Sequence, residues 1–284
     1  MQKEQAKNSL LLIFSNGIVK SSNFAKQLLM AFLLGLSAEV DILLAAQVVP
    51  TLITALISAG AGEIIISRIK NELKLKDILP FYLMVLLSVT IVLGVLYFLF
   101  IPAFSSILEL EKSKNEIFSF LSLIYLANLI PKVFVSGLRP TLYYLGEYKY
   151  YTLSATFSEI FILVTIVLLT PKIGIIGFAY GTLAGSTVNA LLYIYRSNIK
   201  FSYLFIAEKF QEAKDDLIEL IKKAFTVSLN TLLKNGAQLI ERTLAVRNLT
   251  PGYLSAFNYS KSISELPSSI LLDSIVFFLS LIHI

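Results

Sequence analysis

Apolar residues fall into eight long runs separated by short polar breaks. The runs are about Ser9–Leu36, Ala38–Ile69, Leu79–Phe104, Ile117–Leu145, Tyr151–Thr170, Ile173–Tyr195 and Ala224–Leu249, and a last one begins near Gly252 and is still apolar at Ile284. Most reach the roughly 20 residues that a helix needs to cross the hydrocarbon core of a bilayer. The two-residue alternation of a membrane β-barrel is absent. The pattern predicts an all-α, polytopic membrane protein of about eight transmembrane helices.

The interruptions inside these runs carry the chemistry. The first run has a polar middle, NGIVKSSNFAK from Asn16 to Lys26, and is expected either to kink or to face a cavity. The second holds Asp41, Glu63 and a central Pro50; the fourth holds Pro131, Lys132, Arg139 and Pro140; the fifth holds Glu159. Pro50 and Pro267 each remove a backbone donor and are predicted to kink their helices. An ionisable group at a helix centre costs roughly 2.5–3.5 kcal/mol on insertion scales. Chains keep such groups where they line a wet cavity, pair with one another or bind a ligand. Lys20 and Lys26 are six apart, so their faces differ by roughly 120° on a helix, which one cavity wall still accommodates. Plainer accounts stand beside this one: lysines snorkelling to the interface, Asp41 as an ordinary helix-start acid, Glu159 as a packed, protonated acid. Gly177, Gly181 and Gly185 recur at every fourth position of the sixth run, the spacing that lets two helices approach closely.

Between the sixth and seventh runs, Lys209–Lys223 reads KFQEAKDDLIELIKK, with Phe210, Leu217, Leu220 and Ile221 tending to one face. It reads as an amphipathic connector on the membrane surface. The organisation is thus a six-helix lobe over 1–196, a connector over 197–223, and the start of a second lobe over 224–284.

Basic residues set the orientation. The N-terminus and the loops after even-numbered runs hold Lys3, Lys7, Arg68, Lys70, Lys74, Lys76, Arg139, Lys149, Arg196, Lys200, Lys209, Lys214, Lys222 and Lys223. The other loops hold Lys112, Lys114, Lys172 and Arg247. This asymmetry predicts a cytoplasmic N-terminus. The tyrosines crowded between Tyr143 and Tyr151 fit an interfacial aromatic belt at the inner boundary.

Composition narrows the field further. Hydrophobic residues make up 56% of the 284 and charged residues 15%, well below the roughly 25% of soluble domains. The net charge of +5 is accounted for by the inner loops, so nucleic acid is not an expected partner. There is no cysteine and only one histidine, His283, which removes thiolate metal sites and leaves almost no material for histidine catalysis. No enzymatic role is expected.

An internal repeat is visible. GLSAEVDILLAAQVVP, Gly35 to Pro50, aligns with GYLSAFNYSKSISELP, Gly252 to Pro267, and Asp41 aligns with Asn258. The seventh run, polar with Asn230, Lys234, Asn235, Gln238, Glu241 and Arg242, parallels the first. Both copies start on the same side, so the repeats run parallel, as in some transporter halves. The second copy has two helices against six in the first, and truncation is the expected explanation.

Lys20, Lys26, Gly35, Asp41, Pro50 and Gly60 keep the spacing that opens the MurJ/MviN-type lipid II flippases and the related Wzx-type oligosaccharide-lipid flippases, within the superfamily that also holds MATE exporters. The block SAFNYSKSISELP, Ser255 to Pro267, resembles that family's eighth helix. Lysines stand where the family has arginines, Thr54 and Ala55 replace an expected arginine pair, and Lys261 sits one position early, with Ser262 in the usual place. These departures fit a member handling another polyprenyl-linked glycan. The resemblance implies a flippase of the cytoplasmic membrane working by alternating access. Its partners would be a polyprenyl-pyrophosphate-linked oligosaccharide and membrane lipids. Lys20, Lys26, Lys132 and Lys261 would meet the pyrophosphate, and Asp41 would pair with a lysine in the empty state. Glu241 falls near an acidic position that resembles a family cation site, so a coupling Na+ or H+ is expected and no other cofactor. The alternatives are a MATE-like exporter of cations or drugs, which would favour an acidic cavity, a membrane glycan polymerase, whose long outer loop is missing here, and a fragment without activity of its own.

Overall fold

A computed structural model describes residues 2–68, 72–197, 199, 202, 204, 210, 211, 214, 218, 222, 231–233, 235–237 and 240–264; side chains at 2–16, 59–68, 72–78, 143 and 144 lie outside that set. The described residues are helical throughout, with no strand. The helices are α1 (Gln2–Leu34), α2 (Ala38–Arg68), α3 (Glu72–Ile107), α4 (Lys112–Ala127), α5 (Leu129–Tyr144), α6 (Tyr148–Ile173) and α7 (Ile175–Ser197). Residues 240–248 (α8) and 253–264 (α9) follow. Five stretches among the described residues are long and apolar enough to cross a membrane: Ala38–Ser58, Leu79–Ile107, Lys112–Leu142, Tyr148–Ile173 and Ile175–Ser197.

The polar middle of the first run does not break it: α1 is one continuous helix. Pro50 likewise lies inside α2 without ending it. Thr54 Oγ1 donates to the Pro50 carbonyl at 2.9 Å, giving that oxygen a side-chain partner next to the proline. The fourth run, in contrast, is two helices. The chain turns at Asn128, three residues before Pro131, whose missing N–H cannot return to the carbonyl of Ala127.

α6 packs along α7 and also carries α1; α2 lies on α5, and α5 on α7. The glycine row explains the first pairing. A Cβ on Gly177 would come within 2.6 Å of the α6 backbone at Leu169, and Gly181 and Gly185 face Ile166 and Ile162 as closely. α3 packs mainly on α4 and α5, and only 22% of its apolar window is buried, against 61% for α2. Its outward Val92, Val95, Leu99 and Phe100 are what a lipid-facing helix presents. The main core therefore forms around α2, through Val40, Leu43, Leu44 and Ala46, and takes in Leu254 of α9. A smaller cluster of Leu79, Leu83, Leu138, Leu142 and Tyr193 closes the other end.

Of the connector's proposed apolar face, only Phe210 is described; its ring lies 5.6 Å from that of Phe81 on α3. Leu217, Leu220 and Ile221 lie outside the described residues, as do Pro267 and His283. In the tyrosine belt, Tyr151 is buried and its hydroxyl accepts from Arg139 Nε at 2.8 Å. Arg196 pairs with Glu147 and lies over the Tyr150 ring.

Candidate substrate site and lobe junction

The two halves of the internal repeat meet. Gly35 (φ 65°) and Gly252 (φ 89°) both take the left-handed conformation in the turns that lead into α2 and α9. Only glycine adopts it without the Cβ–carbonyl clash. The turns lie against each other: a Cβ on Gly252 would be 3.3 Å from the Leu36 backbone.

Asp41 joins them. It sits one turn into α2 and is 6% exposed. Its Oδ2 accepts the Gly252 N–H at 2.6 Å and its Oδ1 accepts the Ser255 N–H at 2.8 Å. These are free donors of the first turn of α9, and the carboxylate faces the positive end of that helix's dipole. The Tyr259 hydroxyl returns a bond from α9 to the Gly35 carbonyl at 3.2 Å. Asp41 therefore does not pair with Lys20 or Lys26 as expected; both its oxygens are engaged by backbone donors from the other half of the repeat. At the same end, Arg247 pairs with Glu109 at 2.5 Å, tying α8 to the loop after α3.

Asn258, the repeat counterpart of Asp41, is arranged otherwise. Its Nδ2 donates to Gln27 Oε1 of α1 at 2.8 Å, and its Oδ1 lies 3.5 Å from Arg242 Nη2 of α8. Gln27, next to the polar stretch that ends at Lys26, was not singled out from the sequence, and Arg242 was noted only as one of the polar residues of the seventh run.

The lysines gather on the six-helix side. Lys26 Nζ on α1 is 2.9 Å from Glu159 Oε2 on α6, with side chains 14% and 17% exposed. Lys132 on α5 is partly buried. Among the described residues the Lys132 ammonium has no hydrogen bond or ion pair. So Lys26 pairs with Glu159, 133 positions away in sequence, while Asp41 goes elsewhere. Lys20 and Lys261 are partly buried on α1 and α9. Glu241 is exposed on α8, and no group of three acidic or histidine side chains that could hold a metal occurs among the described residues.

No curated protein matches this chain in sequence. Among solved structures, lipid II flippase MurJ in an inward closed conformation superposes with a TM-score of 0.70 at 19% identity, covering 92% of this chain and 55% of that one. A MOP superfamily transporter from Pyrococcus furiosus, described by the reversed polarity of its binding pocket and a different function, gives 0.66 at 19% identity, covering 94% of this chain and 61% of that one. The chain thus spans little more than half the length of these structures, and at such identities they establish a shared fold. Residues 30–280 match the family described as lipid II flippase MurJ, and the chain belongs to that family.

Proposed function

We propose that the chain is the first lobe and the start of the second lobe of a flippase for a polyprenyl-pyrophosphate-linked glycan in a bacterial cytoplasmic membrane, with its N-terminus in the cytoplasm. The observation that carries the reading is the Lys26–Glu159 ion pair, with Lys132 also partly buried on α5, inside a membrane-spanning body. A pyrophosphate offers several anionic oxygens that two ammonium groups can share, and lysines would hold it as point charges. Lys20 and Lys261 belong to the same reading as further contacts. Asp41 belongs to it as the group that holds the two halves together on the outer side while the head group is loaded from the inner side. Glu241 is the proposed coupling position for Na+ or H+. The family match over most of the chain supports the cargo class. The lysine-bearing site favours this reading over an exporter of organic cations.

Native mass spectrometry of the whole chain tests it. Retention of a polyprenyl-pyrophosphate disaccharide is expected, falling at least tenfold in Lys26→Ala/Lys132→Ala. Retention of organic cations without that lipid would favour the exporter instead.

A further inference from the structure

We infer that Glu109 is a positioning residue that latches the Asp41 end of the lobe junction: it takes a left-handed backbone so that its carboxylate can hold Arg247, and with it the turn whose amides Asp41 binds. The inference rests on the lobe-closing part of the reading above and needs nothing of the cargo.

α3 ends in a Schellman motif. The Glu109 N–H donates to the Ser106 carbonyl at 3.1 Å, and the Leu110 N–H to the Ser105 carbonyl at 3.5 Å. That pattern puts the residue after the helix cap, here Glu109, in the left-handed region, where glycine is the usual occupant. Its φ is 53°. The other described residues with a positive φ, Gly35, Gly146, Gly174 and Gly252, are all glycines. A side chain at this place works against the end of α3, because its Cβ crowds the following carbonyl. What the carboxylate touches supplies the reason for keeping one.

Glu109 Oε1 lies 2.5 Å from Arg247 Nη2. Arg247 stands in the last turn of α8, five residues before Gly252. The pair therefore fixes the chain just ahead of the amides that Asp41 holds. Glu109, Arg247 and Asp41 line one cavity, with Leu249 and Pro251 of the turn between them. The other cation on its wall, Lys114, is taken by Glu111 at 2.9 Å. The two contacts across the junction differ in exposure. The Arg247 and Glu109 side chains are 48% and 61% exposed, whereas Asp41 is 6% exposed. An exposed pair is weak and is screened by salt, and buried bonds are screened much less. The latch is thus the layer of the junction that yields first, and opening it leaves no buried charge without a partner.

Hydrogen–deuterium exchange of the whole 284-residue chain in nanodiscs tests it, read over residues 252–255 at the junction and over Ile162–Ile166 in α6 as the control. Glu109→Gly relieves the backbone and removes the pair. It is expected to speed exchange over 252–255 about threefold, equivalent to about 0.7 kcal/mol, with the α6 control unchanged. Arg247→Gln is expected to do the same, and the exchanged pair Glu109→Arg/Arg247→Glu to restore the slow rate. Raising salt from about 0.1 M to about 1 M is expected to speed the unaltered chain by a similar factor and to leave Glu109→Gly unmoved. The salt arm needs no substitution in the unaltered chain, so it decides the matter where a variant fails to fold. The latch is overturned if Glu109→Gly leaves 252–255 unchanged, if it speeds the α6 control equally, or if the exchanged pair restores nothing. Asp41→Asn separates the two ideas, and it is expected to speed 252–255 more than Glu109→Gly does. If only Asp41→Asn speeds exchange, the junction stands without the latch. If neither does, the lobe-closing reading falls, and the inference with it.

Discussion

The turn Gly35–Asp41 and the turn Gly252–Asn258 are copies of one motif, yet they do opposite work. Asp41 reaches out of its own half and takes two backbone donors of α9. Asn258 reaches sideways, to Gln27 on α1 and toward Arg242 on α8. The difference is one functional group. A carboxylate is acceptor-only and carries a charge that suits a helix N-terminus. An amide carries no charge and its nitrogen can only donate, so it cannot offer a separate oxygen to each N–H as Asp41 does. The donor reciprocal to the Gly252 N–H is also occupied, because the Gly35 N–H bonds to the Ala31 carbonyl. The two similar turns thus form a one-way clamp rather than a symmetric one. Such a clamp can be released by neutralising a single residue.

The comparison breaks most readily at Asp41. Asp41→Ala leaves the Gly252 and Ser255 amides buried without a partner and is expected to cost about 2–4 kcal/mol. Asn258→Ala is expected to cost about 1 kcal/mol, as for an ordinary side-chain hydrogen bond. Thermal unfolding in one detergent measures both, and equal losses would remove the distinction between the turns. The glycines sharpen it next. Gly252→Ala meets both its left-handed φ and the Leu36 backbone, whereas Gly35 has open space around it. The conformational penalty alone is about 1–2 kcal/mol, so Gly252→Ala is expected to lower the melting temperature more than Gly35→Ala. The smallest effect belongs to Tyr259→Phe, which removes one interhelical bond to the Gly35 carbonyl. About 0.6 kcal/mol is expected, with the lobe contact otherwise intact, and the same unfolding assay reads it.

Much of this architecture was legible in the order of residues. Lipid-facing α3 is apolar on nearly every side, and it is exposed. The glycine row at every fourth position found its close partner because small side chains at that spacing leave a groove for another helix. The two turns singled out by their shared glycine spacing do lie against each other. The split at Asn128 was less legible, since Pro50, Pro80 and Pro102 lie within helices that continue past them while the span carrying Pro131 breaks. Whether a proline interrupts a membrane helix depends on how neighbouring groups satisfy the freed carbonyl. Lys26 was suspected as a cavity charge, but nothing in its own stretch says that its partner is Glu159.

Local chemistry therefore determined the spans, the lipid-facing surface and the close α6–α7 pairing, because each follows from the size, polarity and periodicity of residues near in sequence. Tertiary structure decided the partners of the charges. Asp41 could have met a lysine or a helix end, and Glu159 could have been a neutral packed acid. A hydrogen bond needs its partners within about 3.5 Å, and Gly252, whose amide Asp41 holds, stands 211 positions further along the chain. Only the fold sets that distance.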